Sequence, residues 1–122
     1  EIRLSLVGSE MCIRDRVRDL SKRERDRLLS SLRLILHHLL KWDFQPQKRS
    51  RSWCNTIERE RTNISLYLKD SPSLKRYLCQ EWLDYAYKTA HLDASSETGL
   101  DFAKICPYDI NEVLSRPIEL GD

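Results

Sequence analysis

The stretch HHLLKWDFQPQKRSRSW, His37 to Trp53, decides how this chain reads. It closes one long apolar pattern of helical period, turns at Pro46, passes Lys48, Arg49 and Arg51, and opens a second pattern on Trp53. Upstream, Leu28, Leu32, Ile35, Leu36, Leu39 and Leu40 recur at intervals of three and four, which aligns side chains on one face of a helix. Ser21 with Glu24 fits a capping box, in which each side chain accepts the other residue's free backbone amide proton. These signals predict a helix from about Ser21 to Trp42. Leu29 and Leu34 widen its stripe, so it is expected to be central and touched from more than one side. Each leucine buried there stabilises the fold by about 1.5–3 kcal/mol.

Downstream of the corner, Ser50 is placed to cap a second helix. Trp53, Ile57, Ile64 and Leu68, with Arg61 in register, form its inward face, while Arg59, Glu60 and Asn63 fall on a face expected to be solvated. Ser71 followed by Pro72 stops that helix and reads as the cap and first residue of a third. Leu74, Leu78, Trp82, Tyr85, Ala86 and Thr89, extended by Leu92, are its expected inward stripe, and Gly99 its end. After a loop from Asp101 to Tyr108, Asp109 and Glu112 repeat the capping-box pattern and open a short helix to about Leu114, stopped by Pro117. The fold class is all-α: a small bundle of three main helices plus a short C-terminal helix.

Composition agrees. A chain of 122 residues allows one domain, and 33% charged residues with three glycines and four prolines favour helices over strands and tight turns. The longest uncharged apolar run, Leu34 to Leu40, includes two histidines and is far too short to cross a bilayer, so no membrane association is expected and a cytoplasmic location is. Cys12, Cys54, Cys79 and Cys106 lack metal or redox spacing and read as reduced thiols.

Charge is divided along the chain. Residues 17–76 carry fifteen Lys or Arg against seven Asp or Glu, whereas residues 77–122 carry three against nine. Such halves attract an anionic partner or face each other within the fold. Lys48, Arg49 and Arg51 stand at a helix start, the positive end of the dipole, where cations need an anion nearby. The acids expected to supply it are Glu81, Asp84, Asp93 and Glu97, for Arg49, Arg51, Arg59 and Arg61. The other source is a phosphate held by the basic cluster and free amides, with Trp42 and Trp53 stacking on a base.

His37 and His38 are adjacent and point about 100° apart on a helix, so they cannot chelate one metal from a shared face. One is expected to be hydrogen-bonded at the core edge and the other to face solvent. No metal, cofactor or catalytic residue is expected. The candidate functional or structural corner comprises His38, Lys41, Trp42, Gln45, Pro46, Arg49, Ser52 and Trp53, with Lys48, Arg49 and Arg51 as its candidate anion-binding group.

The start of the chain reads differently. Leu6 to Asp15, LVGSEMCIRD, resembles one translated frame of the transposase adapter used to prepare sequencing libraries. Residues 1–16 are therefore expected to be adapter-derived, and residues 17–120 to form a single helical domain lacking its N-terminal segment.

Four ordered motifs, HHLLKWDFQPQKRSRSW, SPSLKRYL, ETGL and CPYDINEVL, resemble those of a bacterial family known as domain of unknown function 29. The resemblance covers nearly all of Val17 to about Leu120. It implies an all-helical fold and assigns no activity, so no catalytic residue is carried over. Family members usually begin with a further helix and an acidic stretch, where this chain has the adapter-like residues. Their loop before the CPY motif commonly carries a Phe-Pro pair, where Phe102-Ala103-Lys104-Ile105 stands here. The resemblance thus implies an uncovered face on the first helix, with Leu29 and Leu34 as its apolar residues, open to a protein partner or a second copy. The leading function class is a structural or interaction module. A nucleic-acid or phosphate-ligand binder using Lys48–Arg51 is the alternative. An enzyme working through His38 with Lys41, Arg49 or Glu58 is the third.

Overall fold

The computed structural model describes residues 22–119, and all regular structure among them is helical. Four α-helices follow in order: α1 (Lys22–Phe44), α2 (Arg51–Asp70), α3 (Gln80–Thr98) and α4 (Ile110–Ser115). The small all-α bundle read from the sequence is the fold observed. The Ser21 half of the first capping box, the adapter-like residues 1–16 and Leu120 lie outside the described residues.

Helix α1 is the central element. Leu28, Leu32, Ile35, Leu36 and Leu39 are fully buried, and the helix packs against both α2 and α3. It runs two residues past Trp42, and Gln45 N still donates to Lys41 O at 2.8 Å. Pro46 then opens a single 3-10 turn, Pro46–Lys48. Ser50 caps α2 as its sequence implies: its backbone is extended and its hydroxyl accepts the Trp53 amide at 3.3 Å. Ile57 and Ile64 face the core, with Trp53, Arg61 and Leu68 half-buried beside them.

Glu60 corrects the expected solvated face of α2, because it is 6% exposed. It meets α1 where Ser31 is small enough to admit a carboxylate. Ser31 Oγ donates to Glu60 Oε1 at 2.8 Å, and Arg59 donates Nε and Nη2 to Oε2 at 3.1 and 2.9 Å. A carboxylate so supplied with donors tolerates burial. Arg59 itself is exposed, and Asn63 is half-buried.

The third helix departs further from expectation. Ser71-Pro72 opens a 3-10 turn, Pro72–Tyr77, rather than the long helix itself. Leu78 and Cys79 are non-helical, and α3 begins afresh at Gln80. A 3-10 run with about three residues per turn, followed by non-helical Leu78 and Cys79, cannot hold the 3.6-residue phase, so a stripe counted through it loses register. The true core face of α3 is Leu83, Ala86, Tyr87, Ala90 and Ala94. Of the expected stripe, Leu74 and Ala86 are buried, Leu78 and Trp82 are half-buried, and Tyr85, Thr89 and Leu92 are exposed. The alanines have little side chain between backbones, which lets α3 lie close against α1. Gly99 ends α3 in the left-handed region at φ 79°, donating its amide to Ser95 O at 2.8 Å.

Three contacts fix the direction of packing: Arg25 over the Trp82 ring, Arg33 Nε 3.3 Å from Asp93, and Lys41 Nζ 2.9 Å from Glu97. Both partners advance together, so α1 and α3 run parallel, with α2 antiparallel to α1 through Ser31 and Glu60. The C-terminal segment closes the core with Phe102, Tyr108, Val113 and Ile118. Asp109 and Glu112 form the full capping box of α4. Among the described residues no helix is long and apolar enough to cross a membrane.

Candidate functional site

The end of α1 gathers most of the corner residues, and their contacts are internal. Lys41 is 4% exposed. Its Nζ donates to Glu97 Oε2 at 2.9 Å and lies 4.7 Å from the Trp53 ring centroid. His37 Nε2 lies 2.9 Å from the other oxygen, Glu97 Oε1. The hydrogen bond from Lys41, reinforced by Lys41 and His37 charge, holds the Glu97 carboxyl below its ordinary pKa against the opposing effect of burial. His38 is half-buried, its Nδ1 lies 2.9 Å from Leu34 O, and burial pushes its pKa down. Both histidines are thus engaged; the expectation that one faces solvent is corrected, because α3 brings Glu97 to His37.

Arg49 folds back on α1. Its Nε donates to Trp42 O at 2.8 Å, and its guanidinium lies 4.8 Å from the Trp42 ring centroid. The hydrogen bond satisfies a carbonyl near the helix end, and the stacking holds a cation at the negative end of the dipole. Trp42 is 3% exposed and so offers no open face for a base, and the half-buried Trp53 already has Lys41 over its ring. Gln45 is half-buried, whereas Pro46, Lys48, Arg49, Arg51 and Ser52 are exposed. Lys48 and Arg51 make no ion pair among the described residues.

The expected pairing of arginines with the acids of the third helix is corrected. Since α1 lies between α2 and α3, the acids of α3 meet α1 first: Asp93 takes Arg33 and Glu97 takes Lys41. Arg59 pairs with Glu60 on its own helix. Arg61 instead donates to three carbonyls at the end of α4, Glu112 O at 3.1 Å, Val113 O at 2.9 Å and Arg116 O at 2.8 Å.

A second cluster was not legible from the sequence. Arg116 forms a two-pronged bond with Asp43, at 2.9 Å to Oδ2 and 2.6 Å to Oδ1. Tyr108 donates its hydroxyl to the same Oδ2 at 2.7 Å. Burial pushes the Asp43 carboxyl up, but the bonds from Arg116 and Tyr108 outweigh it and hold the pKa below the ordinary value. Burial and the bond to Asp43 push the Tyr108 phenol well up. Tyr108 and Arg116 lie 65 and 73 positions from Asp43 in the chain, with no periodicity to link them to it.

Open hollows lie elsewhere: one of about 580 Å³ between α1 and α2, walled by Ser31, Glu60 and Tyr67, and a groove between α1 and α3. The groove consists of two adjoining hollows of about 490 and 300 Å³ that share Asp26, Leu29, Tyr85 and Lys88. Leu29 is half-buried, and so is Leu34. The more exposed apolar residues stand on α3: Tyr85 at 57% and Leu92 at 60%. Trp82 is half-buried at the lower end, edge-on to Tyr77 and Tyr85 at 5.1 and 5.6 Å, with Arg25 5.8 Å from its ring centroid. At the same end Arg25 Nε and Glu81 Oε1 are buried without a hydrogen-bond partner among the described residues. No group of three or more described His, Cys, Asp or Glu residues is arranged to hold a metal ion.

The family model described as "Domain of unknown function DUF29" matches residues 12–117. No curated protein and no solved structure matches the chain.

Proposed function

The chain belongs to the DUF29 family, and we propose that it serves as an interaction module whose working surface is the groove between α1 and α3. The observation that supports this reading is the row Trp82, Tyr85 and Thr89 along the groove, continued by Leu92 beyond its two hollows. Its spacing is that of a buried helical face, yet Tyr85, Thr89 and Leu92 are exposed. A large apolar side chain left in water on a helix that already has a complete core face contributes little to the fold, and a contiguous row of them is what a partner covers. The corner at His37–Trp53 takes the other role, a structural joint in which Lys41, Asp43 and Arg49 have internal partners while Lys48 and Arg51 stay exposed. The reduced state of Cys54, Cys79 and Cys106 accords with a bacterial cytoplasmic setting.

The test is the doubly substituted protein Tyr85→Glu/Leu92→Glu. On this reading it melts within a few degrees of the parent and associates less. A large drop in melting temperature would show the row to be core and remove the proposal.

The second reading, binding of nucleic acid or a phosphate ligand at Lys48, Arg49 and Arg51, draws on the exposure of Lys48 and Arg51 at the amino end of α2. It loses Arg49 and both tryptophans, which have internal partners. Titration of fluorescent DNA and RNA at two salt concentrations decides it: the absence of any salt-sensitive binding removes the reading.

A further inference from the structure

We propose that the C-terminal segment, Tyr108 to Ile118, is a strap that opens on its own from an intact three-helix core, with Asp43 and Arg61 as its two clasps and the Cys54 thiol beneath it.

The sequence sets this segment apart. Pro107 and Pro117 stand near its two ends, and neither has an amide to donate to the helices. Between them α4 has six residues, too few for a helix to persist without contacts that hold it. Among the described residues its backbone-to-backbone hydrogen bonds stay within it: the Val113 amide meets Asp109 O, and the Arg116 amide meets Glu112 O. Lifting the segment therefore breaks no backbone bond of α1, α2 or α3.

Side chains make its hold on the core, and two bundle residues carry most of it. Asp43 on α1 takes both prongs of Arg116 and the Tyr108 hydroxyl. Arg61 on α2 takes the carbonyls of Glu112, Val113 and Arg116. The Tyr108 hydroxyl also lies 3.2 Å from Leu39 O, and Gln80 Nε2 reaches Tyr108 O at 3.4 Å. Tyr108, Val113 and Ile118 are buried beneath the segment, so the closed form prevails.

Charge opposes closure. Asp43 answers Arg116, but Arg61 has no ion pair among the described residues. Burial pushes the Arg61 guanidinium below its ordinary pKa; the Glu58 charge opposes this, and the Arg116 charge adds to it. The closed strap thus holds two like charges near each other with one of them half-buried, and opening returns both to water. A short helix, no backbone ties to the core and a standing repulsion mark a segment that opens more readily than the whole protein unfolds. Cys54 reports the event. It is half-buried on α2, and its thiol donates to Ile118 O at 3.2 Å, so the closed strap stands over the sulfur and the open one uncovers it.

The experiment follows alkylation of Cys54 by iodoacetamide in the full chain, with Cys12, Cys79 and Cys106 replaced by Ser. The rate is expected to change little at low urea, whereas a thiol reached only through global unfolding reacts faster with every increment of urea. Asp43→Asn and Arg61→Lys, made separately, are each expected to speed the reaction about tenfold. Ala90→Gly weakens the contact between α1 and α3 away from the strap; it is expected to lower the urea midpoint yet leave the alkylation rate within about twofold of the parent. A rate that rises in Ala90→Gly in step with its lost global stability overturns the strap. So does a parent rate that follows global unfolding from zero urea upward. Equal rates in the parent, Asp43→Asn and Arg61→Lys overturn the two clasps. Should a clasp variant fail to fold, the parent and Ala90→Gly measurements still decide.

Discussion

Lys41 Nζ lies 2.9 Å from Glu97 Oε2, joining the buried end of α1 to the last turn of α3. The two partners differ sharply in exposure, with side chains 6% and 53% accessible. Removing Glu97 strands a buried ammonium, whereas removing Lys41 leaves a carboxylate that water can reach. Glu97→Ala is therefore expected to cost about 2 kcal/mol and Lys41→Met about 1 kcal/mol or less. Urea denaturation of both proteins checks the order, and a more damaging Lys41→Met would show that the pair is not limited by burial of the cation.

Acid stability is expected to depend on Asp43. Its folded pKa lies below the ordinary value of 3.8. The unfolded chain therefore binds this proton first as pH falls. The stabilisation is fully present above about 3.8 and is lost as pH drops through the lower folded value. Asp43→Asn should flatten the acid limb of a melting-temperature profile below about pH 4. It should also lower the plateau near neutrality, because Arg116 and Tyr108 then lack their shared anion. An unchanged acid limb would remove Asp43 from the titration.

Most of the fold was legible because its signals are local. Ser50, Gly99 and the Asp109–Glu112 box act within a few residues of themselves, and the α1 leucines carry their period without interruption. The stripe on the third helix failed for a local reason too: the 3-10 turn at Pro72–Tyr77 resets the phase, and Ser71-Pro72 opens either kind of turn. Pairing was less legible. Arg61 spends its donors on backbone carbonyls, which have no sequence signature, and Glu60 is buried because of Ser31, 29 residues away. The basic corner looked like a site because sequence gives the number of charges and not their partners.

Arg61 should resist conservative substitution. Its planar fork reaches Glu112 O, Val113 O and Arg116 O at once, capping the carbonyls at the end of α4. A lysine ammonium is a point donor on a flexible stem and cannot serve all three. Arg61→Lys is expected to cost about 2 kcal/mol. Amide hydrogen exchange should accelerate over residues 110–116 while the α1 core stays protected. Uniform acceleration across α1 and α4 would mean that the segment does not open on its own.

Ser31 offers a test of the buried carboxylate. Its hydroxyl is the only α1 group among the described residues that donates to Glu60, while Arg59 and Asn63 donate from Glu60's own helix. Ser31→Ala removes one of these bonds and leaves Glu60 Oε1 the long contact from Asn63 at 3.4 Å, at the wall of an open hollow of about 580 Å³ from which water can replace part of the loss. The expected cost is about 0.5–1.5 kcal/mol. In the double variant Ser31→Ala/Glu60→Met the carboxylate is gone, and apolar surfaces meet between α1 and α2. Much of the loss should then be recovered, because a matched apolar pair has no unmet hydrogen bond. If the double variant is as unstable as the sum of Ser31→Ala and Glu60→Met alone, the two residues are not coupled, and the contact between α1 and α2 does not depend on their bond.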